Sequence, residues 1–153
     1  MVDTGCLIIG GGLSGLALAA RLEAQGCDWR LFEAQDDLGG RVRSPEIAGG
    51  RFDLGPAWFW PGQPRIAALA RHHALPVFEQ FCQGDAVFQR RDGAVERHRG
   101  FAPMRGSLRI AGGMGALIAA LARDLPAHKI TRARPITALR RTSDGIIATH
   151  AGG

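Results

Sequence analysis

The apolar residues in the first part of the chain fall into short runs separated by one spaced stripe, which predicts a strand, a helix and a second strand. Cys6–Ile9 is a short apolar run that leads directly into a glycine-rich turn. Apolar residues then recur on one face of a predicted helix over Leu16–Gln25, and Gly26 is suited to its C-cap. Asp28–Glu33 is predicted as the second strand. The three elements fit within about 30 residues, so we expect a right-handed βαβ unit.

The rest of the chain mixes helical patterns with hairpin patterns. Two further helices are predicted, Gln63–Ala74 and Gly115–Leu125, and a proline follows each of them. One hairpin is predicted over Ala86–Arg99, where Val87-Phe88 should lie against Ala94-Val95 and turn at Asp92-Gly93. A second hairpin should pair Ile136–Arg140 with Ile146–His150 through a turn at Asp144-Gly145, and the sequence then stops at Gly152-Gly153.

Length and composition limit the classes of protein that these elements can form. A chain of 153 residues, 46% of them hydrophobic, is long enough for a domain with its own core. No apolar run approaches the roughly 18 residues that a membrane span needs, and residues 1–20 lack the basic start of a signal peptide. We therefore expect a soluble cytoplasmic protein with no membrane partner.

Charge and metal-ligand spacing add little to this picture. The net charge is +5 and nearly all of it comes from arginine, but the arginines are scattered, so we expect a solvated surface and no nucleic-acid partner. The three cysteines form no C-x-x-C pair and should be free thiols. His72 and His73 are adjacent, so their side chains should diverge on a helix. We expect no metal site.

The turn after the first strand carries the clearest chemical signal in the chain. Gly10, Gly12 and Gly15 form a G-x-G-x-x-G pattern between a strand and a helix. In such a turn the first glycine allows the tight bend, the second lets phosphates approach the backbone, and the third lets helix and strand pack closely. Glu33 follows 18 residues after Gly15, close to the spacing of a ribose-binding acid. The pattern predicts a dinucleotide site.

Three further segments could serve a ligand or could be structural. Leu38-Gly39-Gly40-Arg41 could approach phosphates or could be a surface turn with a solvated arginine. The segment from Asp53 to Trp58 contains Gly55-Pro56-Ala57, which would leave room for a flat ring, although a loop with a core tryptophan fits equally well. Ala111–Gly115 is glycine-rich and enters a helix, and tight packing explains it at least as well as ligand contact.

In order and spacing these segments resemble the FAD-dependent amine oxidase superfamily. The matching series is Gly10-x-Gly12-x-x-Gly15, Glu33-Ala34, Leu38-Gly39-Gly40-Arg41, Asp53-x-Gly55-Pro56-x-Trp58 and Gly112-Gly113-Met114. The first motif alone would not separate FAD from NAD, whereas the Gly-Gly-Arg and Gly-Pro-x-Trp segments favour FAD.

The resemblance implies cofactor contacts for most of the matching residues and for Ile136. The pyrophosphate would lie against Gly10, Gly12, Leu13, Ser14 and Gly15, the ribose against Glu33 and Ala34, the phosphates near Gly39, Gly40 and Arg41, the flavin ring against Gly55, Pro56, Ala57 and Trp58, and the adenine end near Ile136. It also implies a non-covalent FAD, since the cysteine that tethers flavin in some members has no counterpart here. The family's catalytic groups come from later segments, so no catalytic residue is assigned.

The fold that the resemblance implies is α/β: a Rossmann-like FAD-binding domain with a parallel sheet and a small α+β insert. We expect the FAD-binding part over residues 1–58, the insert over 59–106, and a return to the first domain over 107–153. The implied activity is amine oxidase-like oxidation of a small-molecule substrate, with hydride passing to flavin N5 and then to oxygen. Two alternatives stay open: a desaturase of an isoprenoid or porphyrin-like substrate, or a truncated FAD-binding module that needs a partner chain or a missing C-terminal segment.

Overall fold

A computed structural model describes residues 3–151, so the predicted stop at Gly152-Gly153 lies outside the described residues. The described elements are β1 (Cys6–Ile9), α1 (Leu13–Ala24), β2 (Trp29–Phe32), β3 (Glu46–Ile47), β4 (Gly50–Arg51), α2 (Pro64–His72), β5 (Val77–Glu79), β6 (Ala86–Gln89), β7 (Val95–His98), β8 (Leu108–Ile110), α3 (Met114–Arg123), a 3-10 helix (Ala127–Lys129), β9 (Ile130–Thr131), β10 (Ile136–Arg141) and β11 (Ile146–His150). They divide between two compact units. Unit 1 combines the residues up to Pro56 with those from Gly112 onward, and unit 2 is Ala57–Ala111. The domain ranges predicted from the sequence stay a prediction.

Unit 1 contains the parallel sheet that the sequence predicts. The strand order is β1-β2-β9, and β1 runs parallel to β2 from Cys6 opposite Trp29 to Ile9 opposite Phe32. The βαβ unit is confirmed, with α1 connecting the two strands. β9 also runs parallel to β2 and places Thr131 beside Phe32. This strand was not predicted, because two residues are too few to give an apolar pattern.

The core of unit 1 forms where α1 and α3 pack together and α1 lies against β2. Each helix contributes one apolar face, and the sheet contributes alternate side chains. The buried apolar residues of this core are Ile8, Leu16, Ala19, Trp29, Leu31, Met114, Leu117, Ile118, Ala120, Leu121 and Leu125. Among residues 3–151, no helix is both long enough and apolar enough to cross a membrane.

Two antiparallel hairpins complete unit 1. The predicted hairpin of β10 and β11 is present, with Arg141 opposite Ile146. The hairpin of β3 and β4 was not predicted. Its two-residue turn is Ala48-Gly49, and both residues have positive φ, 49° and 77°. Tight hairpin turns require that conformation, which usually selects Asn-Gly or Asp-Gly. With alanine in the first position, the sequence does not predict the turn.

Unit 2 is a small α+β unit, in which β5 pairs with β8 and β6 pairs with β7. The predicted register of the second pair is wrong. Val87 lies opposite Arg97 and Phe88 opposite Glu96, because the chain turns over Arg90–Gly93, where the Arg90 N–H donates to the Ala94 carbonyl at 2.8 Å. The turn therefore includes more residues than Asp92-Gly93, the two that the sequence indicates.

The end of α2 differs from its prediction. The helix stops at His72 and not at Ala74, where φ is +52°. As a result His73 lies in the C-cap, and the imidazole rings of His72 and His73 meet edge to face with their centroids 4.8 Å apart. The expectation that the two side chains diverge is wrong, because it assumed that both residues lie inside the helix.

A polar cluster connects α1, β2 and the 3-10 helix of unit 1. Glu23 Oε2 accepts hydrogen bonds from Lys129 Nζ at 2.5 Å and from Trp29 Nε1 at 2.7 Å, and the ammonium of Lys129 lies 5.2 Å from the centre of the Trp29 ring. The hydrogen bond from Lys129, followed by that from Trp29, lowers the pKa of the Glu23 carboxyl below its ordinary value of 4.5. The only lysine of the chain therefore stabilises the packing of helix on sheet.

We predict that this carboxylate makes the stability of unit 1 depend on pH. Because the pKa of Glu23 is lower in the folded chain than in the unfolded chain, its contribution is complete above pH 4.5 and disappears as the pH falls through the folded-state pKa. Urea unfolding followed by tryptophan fluorescence should show Glu23→Gln less stable than the parent at pH 7, with the difference shrinking below pH 4.5.

Glu79→Gln, which removes an exposed carboxylate from β5, is the control for loss of one negative charge. A difference between Glu23→Gln and the parent that stays the same from pH 7 to pH 3 would contradict a role for the ionised carboxylate.

Candidate dinucleotide-binding site

The glycine-rich turn between β1 and α1 has the geometry that its sequence predicts. Gly10 has φ +102°, and its N–H donates to the Phe32 carbonyl at 2.8 Å, which fixes the turn to the end of β2. A Cβ on Gly15 would overlap the carbonyl oxygen of Gly10, so a larger residue cannot occupy that position. A Cβ on Gly12 would instead meet only the Gly39 carbonyl oxygen, at 3.8 Å. Gly10 and Gly15 thus form the turn, while Gly12 leaves its surface open.

The start of α1 presents donors at this open surface. Gly12 is the N-cap and supplies no side chain, and its carbonyl accepts the Leu16 N–H at 3.0 Å. The N–H groups of Leu13, Ser14 and Gly15 come before the Leu16 N–H, which is the first to have an acceptor within the helix, so these three donors have no partner within it. Together with the helix dipole, these donors form a site suited to an anion such as a pyrophosphate.

Glu33 follows β2 directly and is tied to the glycine-rich turn. Its Oε2 accepts the Gly11 N–H at 2.6 Å, its Oε1 accepts the Gln35 N–H at 2.8 Å, and only 6% of the residue is exposed. A carboxylate has about four acceptor positions, so two remain after these bonds. The carboxylate is held in one orientation beside the turn, next to the exposed Ala34.

The Gly39-Gly40 segment lies directly against the first turn. The Gly39 N–H donates to the Gly11 carbonyl at 2.8 Å, and a Cβ on Gly40 would lie 3.6 Å from the Cα of Gly12. Both glycines have positive φ, 114° and 59°. Two backbone segments separated by about 25 residues in sequence therefore meet without side chains between them, and Arg41 follows at an exposed position.

The segment that leads to Gly55-Pro56 returns beside Arg41. The Leu54 N–H donates to the Arg43 carbonyl at 2.8 Å, and a Cβ on Gly55 would overlap the carbonyl oxygen of Arg41. A glycine is thus required at position 55, because the backbone there passes close to the backbone of Arg41. Ala57 and Trp58 belong to unit 2, where 45% of the Trp58 surface is exposed.

Two residues to which the sequence analysis assigned no role bind the start of α3. The Met114 N–H donates to Asp53 Oδ1 at 2.9 Å, and the Gly115 N–H donates to Ser44 Oγ at 2.8 Å. The Ser44 hydroxyl in turn donates to the same Asp53 oxygen at 2.5 Å. A Cβ on Gly113 would lie 2.7 Å from that oxygen, which explains a glycine at this helix entry by packing.

No local sequence signal identifies this cap, because neither residue immediately precedes α3 in the chain. Ser44 and Asp53 lie 71 and 61 residues before their partners. Local capping patterns place the Ser or Asp immediately before the helix, and here that position is Gly113.

Ile136 begins β10 and pairs with His150 of β11, whose ring stacks on Phe32 with centroids 6.1 Å apart. Since Phe32 immediately precedes Glu33, this end of the hairpin lies near the carboxyl end of β2. The structure therefore brings together the glycine-rich turn, Glu33, Gly39-Gly40 and the Gly55 segment, with Ile136 near the end of β2. The cofactor contacts of these residues stay a prediction.

Comparison with known proteins identifies the same region. Residues 8–73 match the family model of the NAD(P)-binding Rossmann-like domain. The chain is 28% identical over 99 residues to putrescine oxidase of Kocuria rosea, which is 65% of this chain and 21% of that protein. It is 35% identical over 80 residues to L-amino acid dehydrogenase of a Synechocystis strain, 52% and 17% of the two chains. It is 44% identical over 52 residues to carotenoid 3,4-desaturase of Haloarcula japonica, which is 34% of this chain and 10% of that protein.

Solved structures share the fold over nearly the whole chain. Cyclohexylamine oxidase from Brevibacterium oxydans superimposes with a TM-score of 0.87 at 15% identity, over 99% of this chain and 56% of that one. Wild-type putrescine oxidase bound to putrescine superimposes with a TM-score of 0.84 at 16% identity, over 99% of this chain and 55% of that one. The chain thus spans about half the length of these structures and about a fifth or less of the curated relatives that it matches. The chain is therefore similar in sequence to amine oxidases and to a carotenoid desaturase over part of its length, and it shares the Rossmann-like fold of the solved amine oxidases.

We predict that the cap on α3 contributes measurably to the stability of unit 1. Asp53→Ala removes the acceptor of two hydrogen bonds and a negative charge at the helix N-terminus, so it should lower the free energy of unfolding by about 1–2 kcal/mol in urea unfolding. Asp92→Ala, which removes an exposed hairpin-turn acceptor of the Ala94 N–H, is the matched control and should cost about 0.5 kcal/mol or less. Equal losses in the two variants would contradict the assigned cap.

Proposed function

We propose that this chain binds FAD non-covalently through unit 1 and is the cofactor-binding part of an amine oxidase-like oxidoreductase that acts on a small-molecule substrate. The observation that carries the proposal is the meeting of Gly12 with Gly39-Gly40 at the start of α1, which leaves backbone donors facing a surface without side chains. A Cβ at Gly10 would have no atom within 4 Å and one at Gly12 would contact a single carbonyl oxygen, so a phosphate has access to both positions.

The residues around this surface fit the parts of FAD. The N–H groups of residues 13–15 would hold the pyrophosphate, and the two remaining acceptor positions of Glu33 would hold ribose hydroxyls. The exposed Arg41 would pair with phosphate oxygens, since a guanidinium can bind them bidentately. Within unit 1, Gly55 and Pro56 would face the flavin ring, and Ile136 would face the adenine.

The bound cofactor would supply the redox chemistry, in which a carbon next to an amine nitrogen gives up a hydride to flavin N5 and oxygen then takes the electrons. The part played by this chain is binding and orientation. We assign no catalytic role to any residue of this chain and propose that the groups that contact the substrate come from a further polypeptide segment.

A desaturase is the second candidate function. The observation in its favour is the 44% identity to carotenoid 3,4-desaturase, which is higher than that to putrescine oxidase. That identity extends over only 52 residues, whereas the match to putrescine oxidase extends over 99 residues. We therefore favour the amine oxidase-like reaction. A module that binds FAD but is not catalytic by itself is the third candidate.

The unpaired edge of β1 is evidence that a further polypeptide segment binds this chain. Within residues 3–151, β1 pairs with β2 alone, so its other edge presents unpaired backbone groups. Unpaired N–H and C=O groups at such an edge can pair with another strand, and Ile9 at the end of β1 is 51% exposed. We propose that a strand from a C-terminal segment, in the same or another chain, pairs with β1 and completes the enzyme.

We predict that Gly12→Ala abolishes FAD binding while the fold survives. The new methyl group would occupy the position of the pyrophosphate, yet it meets only one protein atom at an ordinary contact distance. Titration with FAD, followed by flavin fluorescence, should show a loss of at least about 100-fold in affinity, and the free energy of unfolding should change by about 1 kcal/mol or less.

Gly62→Ala is the matched control, because a Cβ at Gly62 would have no atom within 4 Å and the residue lies in unit 2. It should bind FAD as the parent does. A Gly12→Ala variant that binds FAD normally would contradict the proposed site.

We predict that the open edge of β1 is visible in amide hydrogen exchange. The Gly10 N–H points toward β2, and backbone groups alternate in direction along a strand, so the N–H groups of Leu7 and Ile9 face the open edge. Measured by NMR, these two amides should exchange faster than that of Ile8 in the isolated chain. They should become protected when a complementary C-terminal segment is added. Equal protection of all three amides in the isolated chain would contradict an unpaired edge.

A further inference from the structure

The β3–β4 hairpin joins the two glycine segments of the proposed site, and its own packing is weak. Backbone hydrogen bonds connect Arg43 with Leu54 and Pro45 with Phe52, and the strands then pair up to the turn at Ala48-Gly49. The apolar side chains of this hairpin are largely exposed, with 54% of Phe52 and 69% of Leu54 accessible. A two-stranded hairpin with little buried surface is marginally stable, so other contacts must hold it in place.

The contacts at its base supply that anchor. Ser44 and Asp53 lie opposite each other between the two flanking backbone pairs, and both bind the first turn of α3, whose apolar face is buried in the core. The Ser44 hydroxyl donates to Asp53 and accepts from Gly115, so one oxygen connects both strands of the hairpin to the helix. The ion pair of Arg51 with Glu46, at 3.9 Å and exposed, contributes little by comparison.

The anchored hairpin sets the position of the residues that follow it. Gly55 comes two residues after Asp53 and passes so close to the Arg41 carbonyl that no side chain fits between them. Gly55 and Pro56 are the part of unit 1 proposed to face the flavin ring. The glycine-rich turn and Glu33, which would hold the ADP half, are fixed independently by β1, α1 and β2.

We propose that Ser44 and Asp53 are positioning residues for the flavin end of the cofactor: by tying the base of the hairpin to α3, they hold Gly55-Pro56 where the ring binds. The inference rests on the proposed FAD site. It requires the two halves of the cofactor to depend on different residues, so that loss of the Ser44 hydroxyl weakens contact with the flavin but not with the ADP half.

Parallel titrations of the purified chain with FAD and with ADP test this separation. Ser44→Ala should weaken FAD binding about tenfold and change ADP binding by less than about twofold. Flavin fluorescence at saturating FAD should be higher in the variant, because a displaced ring is more exposed to water. Ser44→Thr keeps the hydroxyl and should restore the parent ratio of FAD to ADP affinity.

Ser107→Ala is the matched control, since it also removes a hydroxyl whose oxygen donates to a backbone carbonyl, that of Met104 at 2.7 Å, but lies in unit 2. It should leave the ratio of FAD to ADP affinity unchanged. If Ser44→Ala does not fold, Asp53→Asn keeps an oxygen acceptor for the Met114 N–H and should show the same selective loss, about threefold or more.

Equal losses of FAD and ADP affinity, or no loss of FAD affinity, would overturn the positioning role. These results differ from failure of the proposed function, in which the parent chain itself would bind neither FAD nor ADP.

Discussion

The close approach of two backbone segments without side chains is the constraint on which the rest of unit 1 depends. The turn at Gly10–Gly15 and the segment at Gly39-Gly40 are joined by the bond from the Gly39 N–H to the Gly11 carbonyl, and the Gly11 N–H is held by Glu33. A side chain at Gly15 or Gly39 would strike backbone oxygen atoms. Gly15 and Gly39 are therefore required by the fold itself. At Gly12 a side chain would fit the fold, so ligand binding explains that glycine better than packing does.

The same arrangement connects the site to the core. The Gly39 position also lies against Ile118 of α3, and the start of α3 is held by Ser44 and Asp53. The helix α3 thus lies beside Gly39 and also holds the hairpin that leads to Gly55. Because the apolar face of α3 is buried, the hydrogen bonds at its N-terminus connect the exposed hairpin to the core.

The sequence predicted the parts of the structure that local patterns determine. The βαβ unit was found because apolar periodicity and the three glycines agree over Cys6–Glu33. The β3–β4 hairpin was missed because Ala48-Gly49 lacks the usual turn residues, and the register of β6 and β7 was wrong because the turn involves more residues than Asp92-Gly93. The roles of Ser44 and Asp53 arise from contacts across more than 60 residues, which no local pattern contains.

The most direct test of the account is the visible absorption spectrum of the purified chain, followed by acid denaturation and identification of the released chromophore. The account predicts a flavin spectrum, present as purified or after addition of FAD, and complete release of intact FAD into the supernatant, as expected for a non-covalent complex held by Gly10–Gly15, Glu33 and Gly39-Gly40. A folded chain that stays colourless after FAD is added and removed by gel filtration would contradict it.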